Sequence, residues 1–208
     1  LRVEGLSKFY GTRIGCADVS FDLWPGEVLG IVGESGSGKT MTGRSVLRLI
    51  RPPGRIEADE MLFDGRDLMK MSEREMRALR GPRMAMVMQD PKYSLNPVMK
   101  IGDQLTEGLR QRDRLGRAAA RDKAVAALEA VQIRDPELVY DLFPHQLSGG
   151  MGQRVMIAMM LIAEPDLLIA DEPTSALDVT VQNEVLRILD DLVRDRGMGL
   201  VMISHNLT

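Results

Sequence analysis

A glycine-rich stretch followed by a lysine and a threonine is the part of this chain best suited to do chemistry. It runs Gly33, Glu34, Ser35, Gly36, Ser37, Gly38, Lys39, Thr40. Its glycines let backbone N–H groups turn inward around a triphosphate without Cβ clashes. Lys39 can then bridge the β- and γ-phosphates, and the Thr40 hydroxyl can hold Mg²⁺. The stretch therefore predicts a nucleoside triphosphate site.

The elements on either side of this stretch fit that prediction. Val28–Val32 is apolar and β-branched and predicts a buried strand, and residues 41–50 predict a helix. A phosphate-binding loop requires a strand before it and a helix after it. The helix N-terminus adds its partial positive charge. A chance match of the loop pattern is expected in roughly one chain of this size per hundred, and the correct flanking elements make that alternative less favourable.

Two adjacent carboxylates form the second chemical feature. Asp171 and Glu172 follow Leu167–Ala170, four apolar residues that predict a strand buried on both faces. Because buried acids without a partner are costly, a cation or a bound water is expected beside them. Asp171 can orient Mg²⁺, and Glu172 can accept a proton from an attacking water. The alternative, a solvated acidic loop, is disfavoured because the chain also carries a phosphate loop.

Two further polar residues follow predicted strands. Gln89 comes after the apolar segment 84–88, and His205 comes after the segment 200–203. Ligands of open α/β sheets collect beyond the carboxyl ends of the strands, so both residues are site candidates. We expect His205 to contact the γ-phosphate. The alternatives are an ordinary loop glutamine and a structural histidine.

Paired glycines and an aromatic residue are weaker signals. Ser148, Gly149 and Gly150 open a predicted apolar helix, where exposed N–H groups could bind an anion and Ser148 could cap the helix. A routine flexible loop would look the same. Tyr10 stands 23 residues before Gly33 and could stack on a purine, although exposed aromatics in turns are common.

Composition excludes several classes of protein. The 208 residues are 44% hydrophobic and 27% charged, which is ordinary for a globular domain. A net charge of −3 gives no electrostatic footprint for nucleic acid. No apolar run approaches a membrane span, no secretory signal is evident, and the single Cys16 fits a reducing compartment. The missing initial Met and the stop after a predicted strand suggest an excised piece of a longer protein.

The order of predicted elements gives the fold class. Two short alternating segments, 2–6 and 17–23, predict antiparallel strands joined by a turn at Gly11 and Thr12. After about Asp90 the pattern becomes helical, with helices expected at 101–112 and 117–131. We therefore expect an α/β fold with a P-loop NTPase (RecA-like) core, an N-terminal antiparallel β-subdomain and an inserted α-helical subdomain. We expect the N-terminal strands and the first part of the core at 1–89, the helical subdomain at 90–157 and the second part of the core at 158–208.

Taken together, these motifs resemble the ATPase domain of ABC transporters over essentially all 208 residues. The specific part is Leu147–Gly150, the Ser-Gly-Gly signature that lies between the phosphate loop and the acidic strand. The resemblance implies two composite ATP sites in a head-to-tail dimer. Each ATP would be held by the phosphate loop of one subunit and by the Ser148, Gly149 and Gly150 region of the other.

The resemblance also implies a role for each motif residue. The phosphates and Mg²⁺ would be held by Lys39 and Thr40, with the metal oriented by Asp171. The remaining roles would be adenine stacking by Tyr10, sensing of Mg²⁺ and water by Gln89, general-base catalysis by Glu172, coupling of the two sites by Asp178 and γ-phosphate contact by His205.

Several shorter runs of residues indicate which branch of the family the chain resembles. The runs 88–91, 94–97, 143–147 and 170–182 are similar to the peptide and nickel importer branch. That branch implies an ATPase peripheral on the cytoplasmic face of the plasma membrane. Its partners would be a second ATPase subunit, identical or related, transmembrane permeases and, indirectly, a substrate-binding protein.

The run 19–27 is similar to the ATPase proteins of phosphonate carbon–phosphorus lyase systems. The alternative is therefore a soluble complex that ATP-driven clamping regulates. The chain departs from the family pattern in three places. Gly152 replaces a polar or basic residue, Asn206 stands where Asp is usual, and the family's carboxyl-terminal region is absent.

Overall fold

The computed structural model of the chain describes residues 1–88, 95–174, 177 and 179–205, apart from the side chain of Arg112. Its elements divide between two compact units. The described residues of the first unit are 1–86, 166–172 and 193–205, and those of the second lie within 87–165 and 173–192.

The strands of the described residues, in chain order, are β1 (Arg2–Tyr10), β2 (Arg13–Asp22), β3 (Val28–Val32), β4 (Gly54–Glu57), β5 (Glu60–Phe63), β6 (Arg66–Asp67), β7 (Met84–Val87), β8 (Leu167–Asp171) and β9 (Gly199–Ser204). The α-helices are α1 (Lys39–Val46), α2 (Glu73–Leu79), α3 (Ile101–Arg112), α4 (Arg117–Ala130), α5 (Pro136–Tyr140), α6 (Gly149–Leu161) and α7 (Val179–Arg196). This α/β arrangement, with antiparallel strands first and helices inserted between parallel strands, agrees with the predicted fold class.

An antiparallel sheet begins the first unit, in the order β2-β1-β5-β6, with β4 also pairing with β1. The predicted hairpin is confirmed, but both strands extend further towards the turn than predicted. Phe9 pairs with Ile14 and Tyr10 with Arg13, so the hairpin closes tightly around Gly11 and its positive φ of 57°. Tyr10 therefore lies at the end of a strand and not within the turn.

A parallel sheet in the order β3-β9-β8-β7 carries the predicted site segments. Strand β8 is buried at every residue, as its apolar sequence predicts. The prediction that Val28–Val32 is buried is wrong, because Val28 and Val32 are 53% and 42% exposed. In the described part of the chain β3 lies at the sheet edge and pairs only with β9.

Helix α1 ends at Val46, four residues earlier than the predicted end at Ile50. Arg48 adopts a left-handed φ of 51°, which stops the helix. Its guanidinium then donates from Nη1 to the carbonyl oxygens of Leu68 and Met71, at 2.8 and 2.6 Å. These long-range bonds explain why a segment without a strong breaker leaves the helix.

Serine side chains cap the starts of α2 and α6, and the second cap, at Ser148, is the one that the sequence predicts. The Ser72 hydroxyl caps α2 by accepting from the Glu75 N–H at 3.3 Å, and the Glu75 carboxylate accepts from the Ser72 N–H at 2.7 Å. The Ser148 hydroxyl caps α6 by accepting from the Met151 N–H at 3.3 Å. Such caps satisfy backbone donors that helix geometry leaves unpaired.

The second unit is helical, and the sequence predicts α3 and α4 to within one residue. Apolar residues at helical spacing, such as Leu105 and Leu128, are buried there. Gly102 lets the Tyr140 ring lie directly on α3, since an added Cβ would overlap that ring. Among the residues described, no helix is both long and apolar enough to cross a membrane.

Candidate functional site

The phosphate loop joins β3 to α1 and depends on glycine at defined positions. Gly36 and Gly38 have φ angles of 85° and 97°, which L-residues rarely adopt. A Cβ on Gly38 would also overlap the Gly15 carbonyl oxygen and lie 3.2 Å from the Cβ of Cys16. The loop is therefore pressed against β2, and only glycine fits at this contact.

The Lys39 ammonium lies inside the loop. It donates to the carbonyl oxygens of Gly33 and Glu34, at 2.6 and 2.8 Å. The N-cap of α1 is Gly38, which offers no side-chain cap, so the first N–H groups of the helix are not engaged by a capping side chain. A buried ammonium beside uncapped helix donors is an arrangement that favours a phosphate.

Thr40 and Asp171 meet although 131 residues separate them. The Thr40 hydroxyl donates to Oδ1 of Asp171 at 3.0 Å, and Asp171 is 4% exposed. Burial raises the pKa of the Asp171 carboxyl, and the bond from Thr40 opposes that change.

A hydroxyl and a carboxylate side by side fit Mg²⁺, which binds through one or two protein oxygens and takes its other ligands from phosphates and water. Within the described ranges, no group of three or more His, Cys, Asp and Glu side chains could hold a metal. The Thr40 and Asp171 pair therefore suits a metal that arrives with a phosphate ligand.

Glu172 leaves the end of β8 in an unusual conformation. Its φ is 48°, and its N–H donates to the Ile203 carbonyl oxygen of β9 at 2.9 Å. Its Oε1 lies 3.2 Å from Nδ1 of His205. The parallel register of β8 and β9 brings the acidic pair and His205 to the same edge of the sheet.

Tyr10 belongs to the same unit as the phosphate loop and is 40% exposed. The buried Lys8 ammonium lies over its ring, and the ring packs so closely on β4 that a Cβ on Gly54 would lie 2.8 Å from it. Its ring is therefore held by neighbours, and its stacking on a purine stays a prediction.

The signature residues Ser148, Gly149 and Gly150 lie in the second unit, at the start of α6. A Cβ on Gly150 would lie 2.9 Å from Cγ1 of Val181, so the helix start packs closely on α7. Two other predicted site residues, Gln89 and Asp178, lie outside the described residues.

Gln153 has a contact that the sequence reasoning missed. It is 2% exposed within α6, and its Nε2 donates to the Pro173 carbonyl oxygen at 2.6 Å. Pro173 directly follows Glu172 in the chain. The available signal was a polar residue beside Arg154 in a helix whose other residues are apolar or glycine, since a polar side chain requires a hydrogen-bond partner when it is buried.

Comparisons with a family model, with curated relatives and with solved structures agree with one another. The model of the ABC transporter family matches residues 16–175. The oligopeptide transport ATP-binding protein OppD of Bacillus subtilis (strain 168) is 48% identical over 202 residues, 96% of this chain. The dipeptide transport ATP-binding protein DppD of Escherichia coli (strain K12) is 47% identical over 211 aligned residues, 100% of this chain.

These alignments cover 56% of OppD and 64% of DppD, so the chain spans about three fifths of the length of these relatives. Among solved structures, a dimeric ATP-binding cassette in a post-hydrolysis state, bound to ADP and Pi, matches with a TM-score of 0.86 and 26% identity. That match covers 99% of this chain and 88% of the other.

Proposed function

Because the chain belongs to the ABC transporter family, we propose that it binds and hydrolyses ATP as the energy-coupling subunit of a peptide importer. The family resemblance and the fold class predicted from the motifs are confirmed. Support for the importer role comes from relatives that are named for oligopeptide and dipeptide transport.

The observation that carries the proposal is the meeting of the phosphate loop with the acidic pair. Thr40, the residue after the loop lysine, is hydrogen-bonded to Asp171, and Glu172 follows Asp171 directly. Residues that can bind a triphosphate, a metal and a proton thus share one edge of the parallel sheet. Phosphoryl transfer needs this combination, because its catalysis is mainly positioning and electrostatic stabilisation.

In the proposed mechanism, the loop N–H groups and the start of α1 bind the phosphate oxygens. The Lys39 ammonium exchanges its bonds to the loop carbonyls for bonds to the β- and γ-phosphates. Thr40 and Asp171 would hold Mg²⁺, and a metal bound there would neutralise charge that develops on the phosphates. Tyr10 stacks on the adenine.

Glu172 acts as the general base. An Oε atom of its carboxylate accepts a proton from the attacking water, while His205, at 3.2 Å from Oε1, keeps the carboxylate oriented. The bond from the Glu172 N–H to Ile203 fixes the backbone from which the carboxylate extends.

The proposed assembly is a head-to-tail pair of ATPase subunits. The Ser148, Gly149 and Gly150 region of one subunit would close over the ATP held by the phosphate loop of the other. Without the partner subunit, each ATP site would lack its signature residues. Because ATP would make more contacts in the closed pair than in a single subunit, it would favour the closed pair. The closing motion would drive permease subunits, with the ATPase peripheral on the cytoplasmic face of the membrane.

The test is the Glu172→Gln variant of the full-length protein, with its partner subunit if one co-purifies. Loss of the base should lower ATP turnover by about 10²–10⁴-fold. ATP binding should persist, and Mg·ATP should produce a closed pair detectable by light scattering. Glu57→Gln is the matched control, because Glu57 is an exposed acid of the same unit and should leave turnover unchanged.

Brisk multiple turnover by Glu172→Gln would overturn the assigned base. Purification from native membranes addresses the importer role separately. Permease subunits that co-purify with the wild-type chain support it, whereas a soluble enzyme complex in their place contradicts it.

A further inference from the structure

The backbone at Glu172 is held in a conformation that its own sequence opposes. Its φ of 48° belongs to the left-handed region, which non-glycine residues seldom adopt. Pro173 follows, and a residue before proline is pushed towards extended conformations. Such strain persists only where the surroundings over-determine the backbone.

Two hydrogen bonds bracket this strained residue. On the sheet side, the Glu172 N–H donates to the Ile203 carbonyl oxygen at 2.9 Å. At the next residue in the chain, the Pro173 carbonyl oxygen accepts a hydrogen bond from Nε2 of Gln153 at 2.6 Å. The first bond fixes the peptide that precedes the Glu172 side chain, and the second fixes the residue that follows it.

The position of Gln153 is unfavourable for a polar amide, because it is buried. Gln153 is 2% exposed and is followed by the buried residues Val155, Met156 and Ile157. Burying an amide costs free energy unless a partner replaces the lost water, and a methionine would fill a similar volume without that requirement. The hydrogen bond to the Pro173 carbonyl oxygen offsets this cost, because it replaces a bond to water.

We propose that Gln153 is a positioning residue for Glu172. By holding the Pro173 carbonyl, it keeps the strained turn after β8 from relaxing and so keeps the Glu172 carboxylate where the attacking water is activated. The inference rests on the proposed function, in which Glu172 is the general base. Because Gln153 belongs to the signature helix α6, it also ties the signature segment to the residue that follows the base.

The test compares Gln153→Met, which keeps side-chain length and removes the donor, with wild type in the full-length protein and its co-purifying partners. A catalytic group displaced by about 1 Å can lose about 10²-fold in rate. We expect kcat to fall at least about tenfold by that reasoning, while the Kd for ATP stays within about twofold, because the phosphate loop and Tyr10 are untouched.

Thr106→Val is the matched control. Thr106 is also a buried polar residue of the second unit, and its hydroxyl donates to the Gly102 carbonyl oxygen at 2.7 Å, within α3. Its loss should lower Tm without a selective loss of kcat. Equal falls in Tm and kcat for Gln153→Met and Thr106→Val would make Gln153 merely structural and overturn the inference.

A double-mutant cycle separates the two proposals. With Glu172 already replaced by Gln, adding Gln153→Met should cause no further loss of single-turnover hydrolysis, because no base remains to be positioned.

Failure of the general-base assignment and failure of the positioning role would give different results. If Glu172→Gln itself hydrolyses ATP normally, the general-base assignment fails and the positioning role fails with it. If Glu172→Gln is inactive but Gln153→Met keeps wild-type kcat, the positioning role alone is wrong.

Discussion

Alanine substitutions at three glycines around the phosphate loop provide a graded test of why the loop has its shape. Gly30 in β3 has an ordinary φ and open space around its Cβ position. Gly36 has a φ of 85° and open space, so alanine there meets backbone strain alone. Gly38 combines a φ of 97° with the Gly15 carbonyl oxygen and the Cβ of Cys16, so alanine meets strain and steric overlap together.

The expected free energies of unfolding follow from these three environments. Gly30→Ala should stabilise by about 0.4–1 kcal/mol, because alanine restricts the unfolded chain. Gly36→Ala should lose about 1–2 kcal/mol to left-handed strain and recover part of it through the same entropy term, for a net loss of about 1 kcal/mol. Gly38→Ala adds overlap with backbone that cannot rotate away, about 1–3 kcal/mol more, for a total near 2–4 kcal/mol.

Urea unfolding followed by circular dichroism measures these differences, and ATP binding measured in parallel reports the loop. We expect the stability order Gly30→Ala, wild type, Gly36→Ala, Gly38→Ala, from most to least stable. ATP affinity should fall most for Gly38→Ala, because the N–H groups that face the phosphates would shift with the loop. Equal losses for Gly36→Ala and Gly38→Ala would refute the close packing of the loop against β2.

Two further predictions concern burial. Burial raises the pKa of Asp171, so the native state holds the proton of this carboxyl more tightly than the unfolded chain does. The free energy of unfolding therefore falls as the pH rises from the pKa of the unfolded chain to the higher pKa of the native state. Asp171→Asn should therefore raise Tm at pH 7, by a margin that narrows towards pH 4, while Mg²⁺-dependent ATP binding is lost; an unchanged Tm at pH 7 would contradict this. In α3, Gly102→Ala should lower Tm because its Cβ would overlap the Tyr140 ring, whereas Gly108→Ala, which meets open space, should not; calorimetry checks both.

The features that the sequence predicts well are local. The phosphate loop is recognisable because glycine spacing, the lysine and the following helix all lie within one short segment. The cap at Ser148 involves a partner three residues away, and β8 is a short apolar run. Information of this range is present in any window of the chain, so it needs no knowledge of tertiary contacts.

The features that the sequence misses depend on distant partners. The exposure of Val28 and Val32 follows from the position of β3 at the sheet edge, which no property of its own five residues encodes. Helix α1 ends early because the Arg48 guanidinium donates to carbonyl oxygens 20 and 23 residues away, in the segment before α2. Gln153 was missed because its partner, Pro173, lies 20 residues further along the chain.

Register is the physical quantity that converts the local motifs into a site. Ile203 pairs with Asp171 in β8 and with Ile31 in β3, so β9 sets the height of the acidic pair relative to the phosphate loop. A slip of one residue between β8 and β9 would move Asp171 by about 3.3 Å along the sheet and reverse the face of its side chain. The 3.0 Å bond from Thr40 would then be lost. The pairing of β8 with β9 therefore decides whether the Asp171 carboxylate reaches Thr40 at the end of the phosphate loop.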